Sequence, residues 1–181
     1  MRASLCVLVM AAGGLVAGSA WAEDNAAEPE RAVELRYGKH GGITQYGAAL
    51  RFGDVWSRQG DYWSMRLQPV VEVGQFRYDG SRAPDDRVNY GSAGLGFRMS
   101  GAGENVSPYL ELGLGGALLS QTRLGPRELS TRFQFTEWIG VGLDFGKRYS
   151  IGWRYAHFSN AGIKKPNDGI DVQQIVLSAR F

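Results

Sequence analysis

Apolar side chains recur at every second position through most of this 181-residue chain. A period of two is typical of a β-strand with one face in an apolar environment, because successive side chains of a strand point to opposite faces. Eight such segments follow one another, at residues 33–37, 46–52, 65–73, 93–99, 110–118, 133–143, 149–155 and 175–181. The pattern predicts an all-β protein, and we refer to these segments as the first to the eighth predicted strand.

The opposite faces of the predicted strands carry charges and glycines. These positions are Glu34, Arg36, Arg51, Arg66, Glu72, Arg98, Glu111, Gly113, Gly115, Asp144, Arg154 and Arg180. Opposite charges can pair inside a narrow lumen, and glycine leaves the space that a barrel of only eight strands needs. An apolar outside around a polar inside is typical of a barrel in lipid, where closure satisfies every backbone group. The sequence therefore predicts an eight-stranded antiparallel transmembrane β-barrel, and a soluble, lipocalin-like barrel is the alternative.

The N-terminus has the features of an export signal. Arg2 precedes an apolar stretch at residues 5–16, and Ala20-Trp21-Ala22 has the A-x-A form of a cleavage site. We predict a signal peptide over residues 1–22 and a barrel with a short polar N-terminal tail over residues 23–181. A membrane-anchor helix is the alternative, but the stretch is shorter than the roughly 20 residues that such a helix needs. Cys6, the one cysteine, lies in the predicted signal, which excludes disulfides and thiol catalysis from the mature chain.

The rest of the sequence limits the cellular location of the chain and the kinds of molecule that it could bind. After the predicted signal, no apolar run approaches the roughly 20 residues of a transmembrane helix. A formal net charge of +2 gives no reason to expect nucleic acid as a partner. Phe181 ends the eighth predicted strand, and a terminal aromatic residue resembles the recognition signal of outer-membrane barrel proteins. The predicted location is the bacterial outer membrane.

The connections between the predicted strands suggest a topology. Gly53-Asp54 and Gly146-Lys147 are interpreted as turns, although the first connection could be longer. If both termini are periplasmic, an even number of strands places the connection between the seventh and eighth predicted strands outside the cell. That connection covers residues 160–170 and is rich in Gly, Asn, Pro and Lys.

Two chemically active side chains stand next to this connection. His157 and Ser159 share the face of Trp153 and Tyr155, so they are expected to point towards lipid. Residues i and i+2 of a strand lie about 6–7 Å apart, which lets an imidazole reach a hydroxyl and activate it as a nucleophile. His157 is about 20 Å above Tyr149 on a strand tilted by about 40°, near the far border of the apolar band. The pair could be an esterase site that meets lipid esters, or simply an interfacial histidine and a loop serine.

The full run of residues resembles a known family. His157-x-Ser159-Asn160-x-Gly162, followed by Pro166-Asn167-x-Gly169-Ile170, closely resembles the C-terminal signature of lipid A 3-O-deacylase, the PagL family. The resemblance implies an outer-membrane esterase that hydrolyses the ester-linked 3-hydroxyacyl chain at position 3 of lipid A. It implies Ser159 as the nucleophile and His157 as its general base. It also implies that Asn160 and the backbone at Gly162 hold the oxyanion, and that no metal or other cofactor takes part.

The acid that orients His157 has two candidates. The family's glutamate position is held here by Asp171, which is shorter by one methylene. Pairing the seventh and eighth predicted strands across their hairpin places Asp171 opposite His157. A tight turn between the sixth and seventh predicted strands places Glu137 opposite the same histidine. We predict Asp171 as the acid and retain Glu137 as the alternative.

Two other classes of function remain open at this point. One is a non-catalytic small outer-membrane barrel with an adhesive or structural role. The other is a different outer-membrane lipid acyl hydrolase or acyltransferase. The expected partner is lipid A, as part of lipopolysaccharide in the outer leaflet around a membrane-embedded barrel. A homodimer is left open beside a single copy.

Overall fold

The computed structural model describes residues 31–80 and 86–181, and most of these form strands. The strands are β1 (Ala32–His40), β2 (Ile43–Arg51), β3 (Trp56–Gln59), β4 (Trp63–Tyr78), β5 (Arg87–Gly101), β6 (Val106–Leu119), β7 (Arg123–Leu124), β8 (Arg127–Glu128), β9 (Phe133–Phe145), β10 (Tyr149–Ser159) and β11 (Ile170–Arg180). The predicted signal peptide, residues 1–22, lies outside the described residues. Within the described ranges, no helix is long and apolar enough to cross a membrane.

Eight of these strands close into a barrel. Their order is β2-β1-β11-β10-β9-β6-β5-β4, and β4 pairs back onto β2. All of these pairings are antiparallel, which confirms the predicted architecture. The short strand β3 pairs with the beginning of β4 and prolongs the path of β2. Strands β7 and β8 form a small separate hairpin in the connection between β6 and β9.

The two ends of the barrel differ in their connections. Arg31 and Phe181 exchange backbone hydrogen bonds of 3.3 and 2.9 Å, so both described termini lie at one end, which we call the terminal end. The turns at residues 60–62, 102–105 and 146–148 lie there as well. The connections β1–β2, β4–β5, β6–β9 and β10–β11 lie at the opposite end, which we call the loop end.

One of the two predicted turns is displaced. The turn at Gly146 joins β9 directly to β10, as predicted. At Gly53-Asp54, however, the chain does not reverse, because it continues as β3 and turns only at residues 60–62. The N–H groups of Phe52 and Val55 still donate to carbonyls of β4 at 2.9 Å. The backbone on both sides of Gly53 therefore remains hydrogen-bonded to β4.

The distribution of side chains is the inverse of that in a soluble barrel. Outward-facing Val73 and Leu114 are 66% and 68% exposed, while inward-facing Glu34 and Arg154 are each 1% exposed. Such an arrangement stabilises a barrel only where lipid covers the outside. The predicted inversion is confirmed for the part of the barrel between the terminal end and its middle.

Ion pairs fill this part of the lumen. Four buried arginines interleave with four buried carboxylates, namely Arg36, Arg51, Arg98 and Arg154 with Glu34, Glu72, Glu111 and Asp144. Glu111 accepts hydrogen bonds from Arg154 and, at 3.1 Å, from Arg51. Arg98 also lies 3.8 Å from Glu111. Because each charge has opposite charges beside it, the desolvation cost of the group is offset within the network.

A glycine makes room for a ring inside the same lumen. The Trp138 side chain lies against Gly113, where an added Cβ would overlap its indole ring. The guanidinium of Arg154 lies 5.3 Å from the centre of that ring. Glycine at position 113 therefore lets β6 and β9 enclose a tryptophan in a lumen of only eight strands.

Near the loop end the pattern reverses. Inward strand positions and two leucines of the β6–β9 connection form an apolar cluster there, which consists of Ile43, Phe76, Val88, Tyr90, Ala117, Leu119, Leu124, Leu129, Ala156, Phe158, Ile170 and Val172. Phe76 stacks on Tyr90 at 4.6 Å and meets Phe158 edge-on at 5.0 Å. The expectation of a polar interior holds only in part at this end, where Gln45 and Gln134 are buried beside an apolar core that the connections cover.

The outward positions at the loop end change in the opposite sense. On β1, β4, β5, β10 and β11 they are polar, as Lys39, Arg77, Asn89, His157 and Gln173 show. An apolar inside with a polar outside is the arrangement of a protein in water. The reversal therefore marks the level at which the strands leave the apolar layer.

The charge network predicts a large effect of a single interior substitution. Glu111→Gln removes a carboxylate that lies beside Arg51, Arg98 and Arg154, and breaking a buried pair on one side costs about 3–5 kcal/mol. We expect the free energy of unfolding to fall by about this amount, measured by urea unfolding of the refolded barrel and followed by tryptophan fluorescence. Glu104→Gln, in an exposed turn, is the matched control and should leave the free energy of unfolding unchanged. Equal stability of the two variants would contradict a stabilising role of the network.

Candidate active site

A histidine and a carboxylate meet on the outer face of the barrel. His157 on β10 lies directly opposite Asp171 on β11, as predicted from the hairpin. The Nδ1 atom of His157 lies 2.7 Å from Oδ1 of Asp171. The side chains are 37% and 28% exposed, so the pair can be reached from outside the barrel.

Glu137 flanks the same histidine from the other side. It lies opposite His157 on β9, which confirms the second predicted register. Within the described chain no hydrogen bond joins the Glu137 carboxylate to the imidazole, and the carboxylate remains exposed. Asp171 thus holds Nδ1, and because a nitrogen bound to a carboxylate carries the proton, Nε2 is left free to accept one.

Ser159 follows His157 by two residues on the same face of β10. It is half-exposed, and in the described part of the chain its hydroxyl has no hydrogen-bond partner. Gly169 lies against both residues, since a Cβ added to it would be 3.2 Å from Cε1 of His157 and 3.8 Å from Cβ of Ser159. Gly169 also has a φ of 63°, which favours glycine. The loop backbone therefore covers one side of the His157 and Ser159 pair.

Tyr155 is a further member of the site that the sequence analysis did not single out. Its hydroxyl donates to Oδ1 of Asp171 at 2.6 Å, the same oxygen that lies next to His157. The alternation places Tyr155 and His157 on one face, two residues apart. That shared face was the available signal, but the alternation alone does not show which neighbour the tyrosine hydroxyl bonds.

Asn160 organises the loop between β10 and β11. Its side chain is fully buried, and Nδ2 donates to the carbonyls of Leu129 at 2.9 Å and Lys164 at 2.8 Å. Its Oδ1 accepts the N–H of Gly162 at 2.9 Å. The backbone N–H of Asn160 donates to Oδ1 of Asn167 at 3.2 Å. The structure thus brings Asn160 and Gly162 together, beside Ser159, but engages the Asn160 amide and the Gly162 N–H within the loop.

The hairpin β7–β8, in the connection between β6 and β9, forms hydrogen bonds to the loop between β10 and β11. The guanidinium of Arg127 donates to the carbonyls of Asp168 at 3.3 Å and Gly169 at 3.0 Å. The N–H of Glu128 donates to Oδ2 of Asp168 at 2.8 Å, and the N–H of Asp168 donates to the carbonyl of Glu128 at 3.2 Å. No local pattern in the sequence points to this contact, because its two sides are about 40 residues apart.

An apolar surface borders the site on the side of β9. Ser159 lies opposite Phe135, and the rings of Phe135 and Phe133 meet edge-on at 5.0 Å. Leu118 on β6 lies opposite Phe133 and is 65% exposed. We call Leu118, Phe133 and Phe135 the aromatic patch. The serine hydroxyl therefore stands between this patch and the polar surface formed by β10 and β11.

The arrangement has the elements of a hydrolytic site. A carboxylate orients an imidazole, the imidazole has a free nitrogen, and a hydroxyl stands two residues away on the same face. Such a set can activate a serine for attack on an ester. The hydroxyl lies at the level where the outward side chains of β10 and β11 change from apolar to polar.

Comparisons of sequence with known proteins point to one family. The model of the family described as lipid A 3-O-deacylase (PagL) matches residues 41–180, a range that contains all of the site. The protein named lipid A deacylase PagL from Pseudomonas aeruginosa is 34% identical over 134 residues, which cover 72% of this chain and 77% of that protein. The protein of the same name from Bordetella bronchiseptica is 37% identical over 129 residues, or 70% of each chain.

A solved structure shares the fold of this chain. The crystal structure of the outer membrane enzyme PagL matches it with a TM-score of 0.73 and 28% identity, over 81% of this chain and 97% of that one. The matched range includes the barrel strands from β2 to β11, and the family match spans well over half of the chain. The chain therefore belongs to the lipid A 3-O-deacylase family and is an enzyme of the bacterial outer membrane with the form of an eight-stranded β-barrel.

Proposed function

We propose that this chain is a serine esterase that removes the 3-hydroxyacyl chain at position 3 of lipid A in the outer leaflet. Ser159 is the nucleophile, His157 is its general base, and Asp171 orients the histidine. The observation that carries this assignment is the 2.7 Å contact of Asp171 with Nδ1 of His157, next to an outward-facing Ser159. The names of the relatives from Pseudomonas aeruginosa and Bordetella bronchiseptica support the substrate.

The reaction is acyl transfer to serine and then to water. Nε2 of His157 takes the Ser159 proton while Oγ attacks the ester carbonyl carbon. The tetrahedral intermediate collapses, and the sugar oxygen leaves with the proton from the imidazolium. Water then attacks the acyl-enzyme with His157 again acting as base, which releases the hydroxy fatty acid and restores Ser159. Throughout these steps the Asp171 carboxylate stabilises the imidazolium.

The surface around Ser159 suits a lipid substrate. The acyl chain can lie along the aromatic patch and the apolar strand surface below it, while the sugar faces the polar outer layer. This placement requires no opening into the lumen, which is filled by the charge network and the apolar cluster. It also requires only one copy of the chain, because His157, Ser159 and Asp171 lie on two neighbouring strands of the same barrel. A homodimer is not needed to complete the site.

Asn160 and Gly162 are proposed to build the oxyanion site together. The Gly162 N–H donates to Asn160 in this conformation, so it has to exchange that partner for the oxyanion when substrate binds. Asn160 then contributes by fixing the loop through its bonds to Leu129 and Lys164. Oxyanion donors of this kind contribute about 3–4 kcal/mol to transition-state stabilisation.

Removal of the nucleophile or of the base tests the mechanism. Ser159→Ala and His157→Ala should abolish deacylation of lipid A while the barrel still folds, since neither side chain belongs to the interior. Deacylation is measured by mass spectrometry of lipid A from cells that express each variant, and folding by the heat-dependent shift of the barrel on gels. Ser57→Ala, on the exposed strand β3, is the control that should remain active. Full deacylation by Ser159→Ala would show that the nucleophile is another residue.

We expect unequal losses of kcat when each of the two carboxylates beside His157 is replaced by its amide. Asp171→Asn keeps the size of the side chain but lets its amide favour the wrong tautomer of His157, which in a well-studied triad lowers kcat by about 10⁴. We expect a loss of about 10²–10⁴ here, because the pair is partly exposed. Glu137→Gln should change kcat by no more than about threefold, since no hydrogen bond joins Glu137 to the imidazole in the described chain. Initial rates on purified lipid A measure both variants, and the opposite order would make Glu137 the acid.

A further inference from the structure

We infer that Tyr155 is a positioning residue, which holds the Asp171 carboxylate in the orientation that serves His157. This inference rests on the proposed function and assigns one more residue to it. The Tyr155 hydroxyl lies 2.6 Å from Oδ1 of Asp171, and Nδ1 of His157 lies 2.7 Å from the same oxygen. Two donors on the same face of β10, two residues apart, thus converge on one carboxylate oxygen of β11.

The strand register explains why a tyrosine is suited to this contact. Tyr155 lies directly opposite Gln173, so its bond to Asp171 runs diagonally across the strand pair. Diagonal neighbours are about 7–8 Å apart, a span that a long aromatic side chain covers. The Asp171 side chain is too short to cover this distance. The longer Tyr155 side chain therefore has to extend to the carboxylate.

The environment of Asp171 makes a second donor important. The carboxylate faces outwards at the border of the apolar layer and is 28% exposed. Among the described residues its hydrogen-bond partners are His157 and Tyr155. A carboxylate with a single donor could rotate about its two side-chain bonds towards water. With the tyrosine hydroxyl also bound, that rotation breaks a charge-assisted hydrogen bond.

Tyr155 acts through Asp171 and not on the reacting atoms. In the described chain it makes no hydrogen bond to His157 or Ser159, and its hydroxyl is engaged by Asp171. Loss of the hydroxyl should therefore lower the fraction of His157 with its proton on Nδ1. This lowers the rate of the chemical step, while the surface that binds lipid A is unchanged.

The first experiment separates kcat from KM. Tyr155→Phe should lower kcat about tenfold, the effect of losing one hydrogen bond to a charged group, while KM stays within about twofold. Tyr149→Phe is the matched control, because Tyr149 lies on the same face of the same strand at the terminal end. The control should keep wild-type kinetics. An unchanged kcat in Tyr155→Phe, or a loss confined to KM, would overturn the inference.

A double-mutant cycle tests whether the effect passes through Asp171. In the Asp171→Asn background, Tyr155→Phe should cause no further loss of kcat, because the oriented carboxylate is already absent. If Tyr155 had an independent structural role, the two losses would multiply, and the inference would be wrong.

Loss of activity in Ser159→Ala and Asp171→Asn with normal activity in Tyr155→Phe would refute this inference alone. Retained activity in Ser159→Ala would refute the proposed nucleophile instead.

A spectroscopic measurement is independent of activity. The chain has two histidines, His40 and His157, so ¹⁵N-histidine labelling gives two ring systems, which a His40→Gln variant assigns. The wild-type barrel in micelles should show His157 with its proton on Nδ1. Tyr155→Phe should increase the signal of the other tautomer, and Tyr149→Phe should not. Identical tautomer populations in wild type and Tyr155→Phe would overturn the inference, even if kcat were reduced.

Discussion

The structure depends on the requirement that every backbone N–H and C=O within lipid finds a partner in the protein itself. The pairing of β4 with β2 meets this requirement by closing the sheet, so that each of the eight barrel strands has a paired neighbour on both sides. Closure also separates the side chains into an outer set that meets lipid and an inner set confined to a narrow lumen. The inner charges then stabilise each other, as the contacts of Glu111 with Arg51 and Arg154 show.

The same closed sheet determines where chemistry can take place. Since the lumen is filled, the side chains of the candidate site lie on the outer surface. They lie at the level where the inner face becomes apolar, around Phe158, and the outer face becomes polar. At this level His157 can retain polar partners, and Ser159 still borders the apolar surface at Phe135. Cleavage of a lipid at the junction of its chain and headgroup needs both environments.

Two connections cooperate to shape the site. The loop at residues 160–169 places Gly169 against His157 and Ser159, and the hairpin β7–β8 binds that loop through Arg127 and Glu128. Strands β10 and β11 are therefore held in place by the barrel, whereas the shape of the loop over His157 and Ser159 depends on contacts between two connections. The candidate site is thus formed on the barrel surface by two strands and two connections together.

The sequence alone determined the barrel, the outward direction of His157 and Ser159, and the registers that place Asp171 and Glu137 beside His157. These features follow from a strict period of two and from short hairpins, which are local properties of the chain. Only the tertiary structure decided that Asp171 bonds Nδ1 and Glu137 does not, because strand registers place side chains but do not choose their torsion angles. The sequence also did not predict the apolar core at the loop end or the hydrogen bond from Arg127 to the carbonyl of Gly169. Both join segments that are distant in sequence. Sequence periodicity gives the direction of a side chain, while the choice among its neighbours is made by three-dimensional packing.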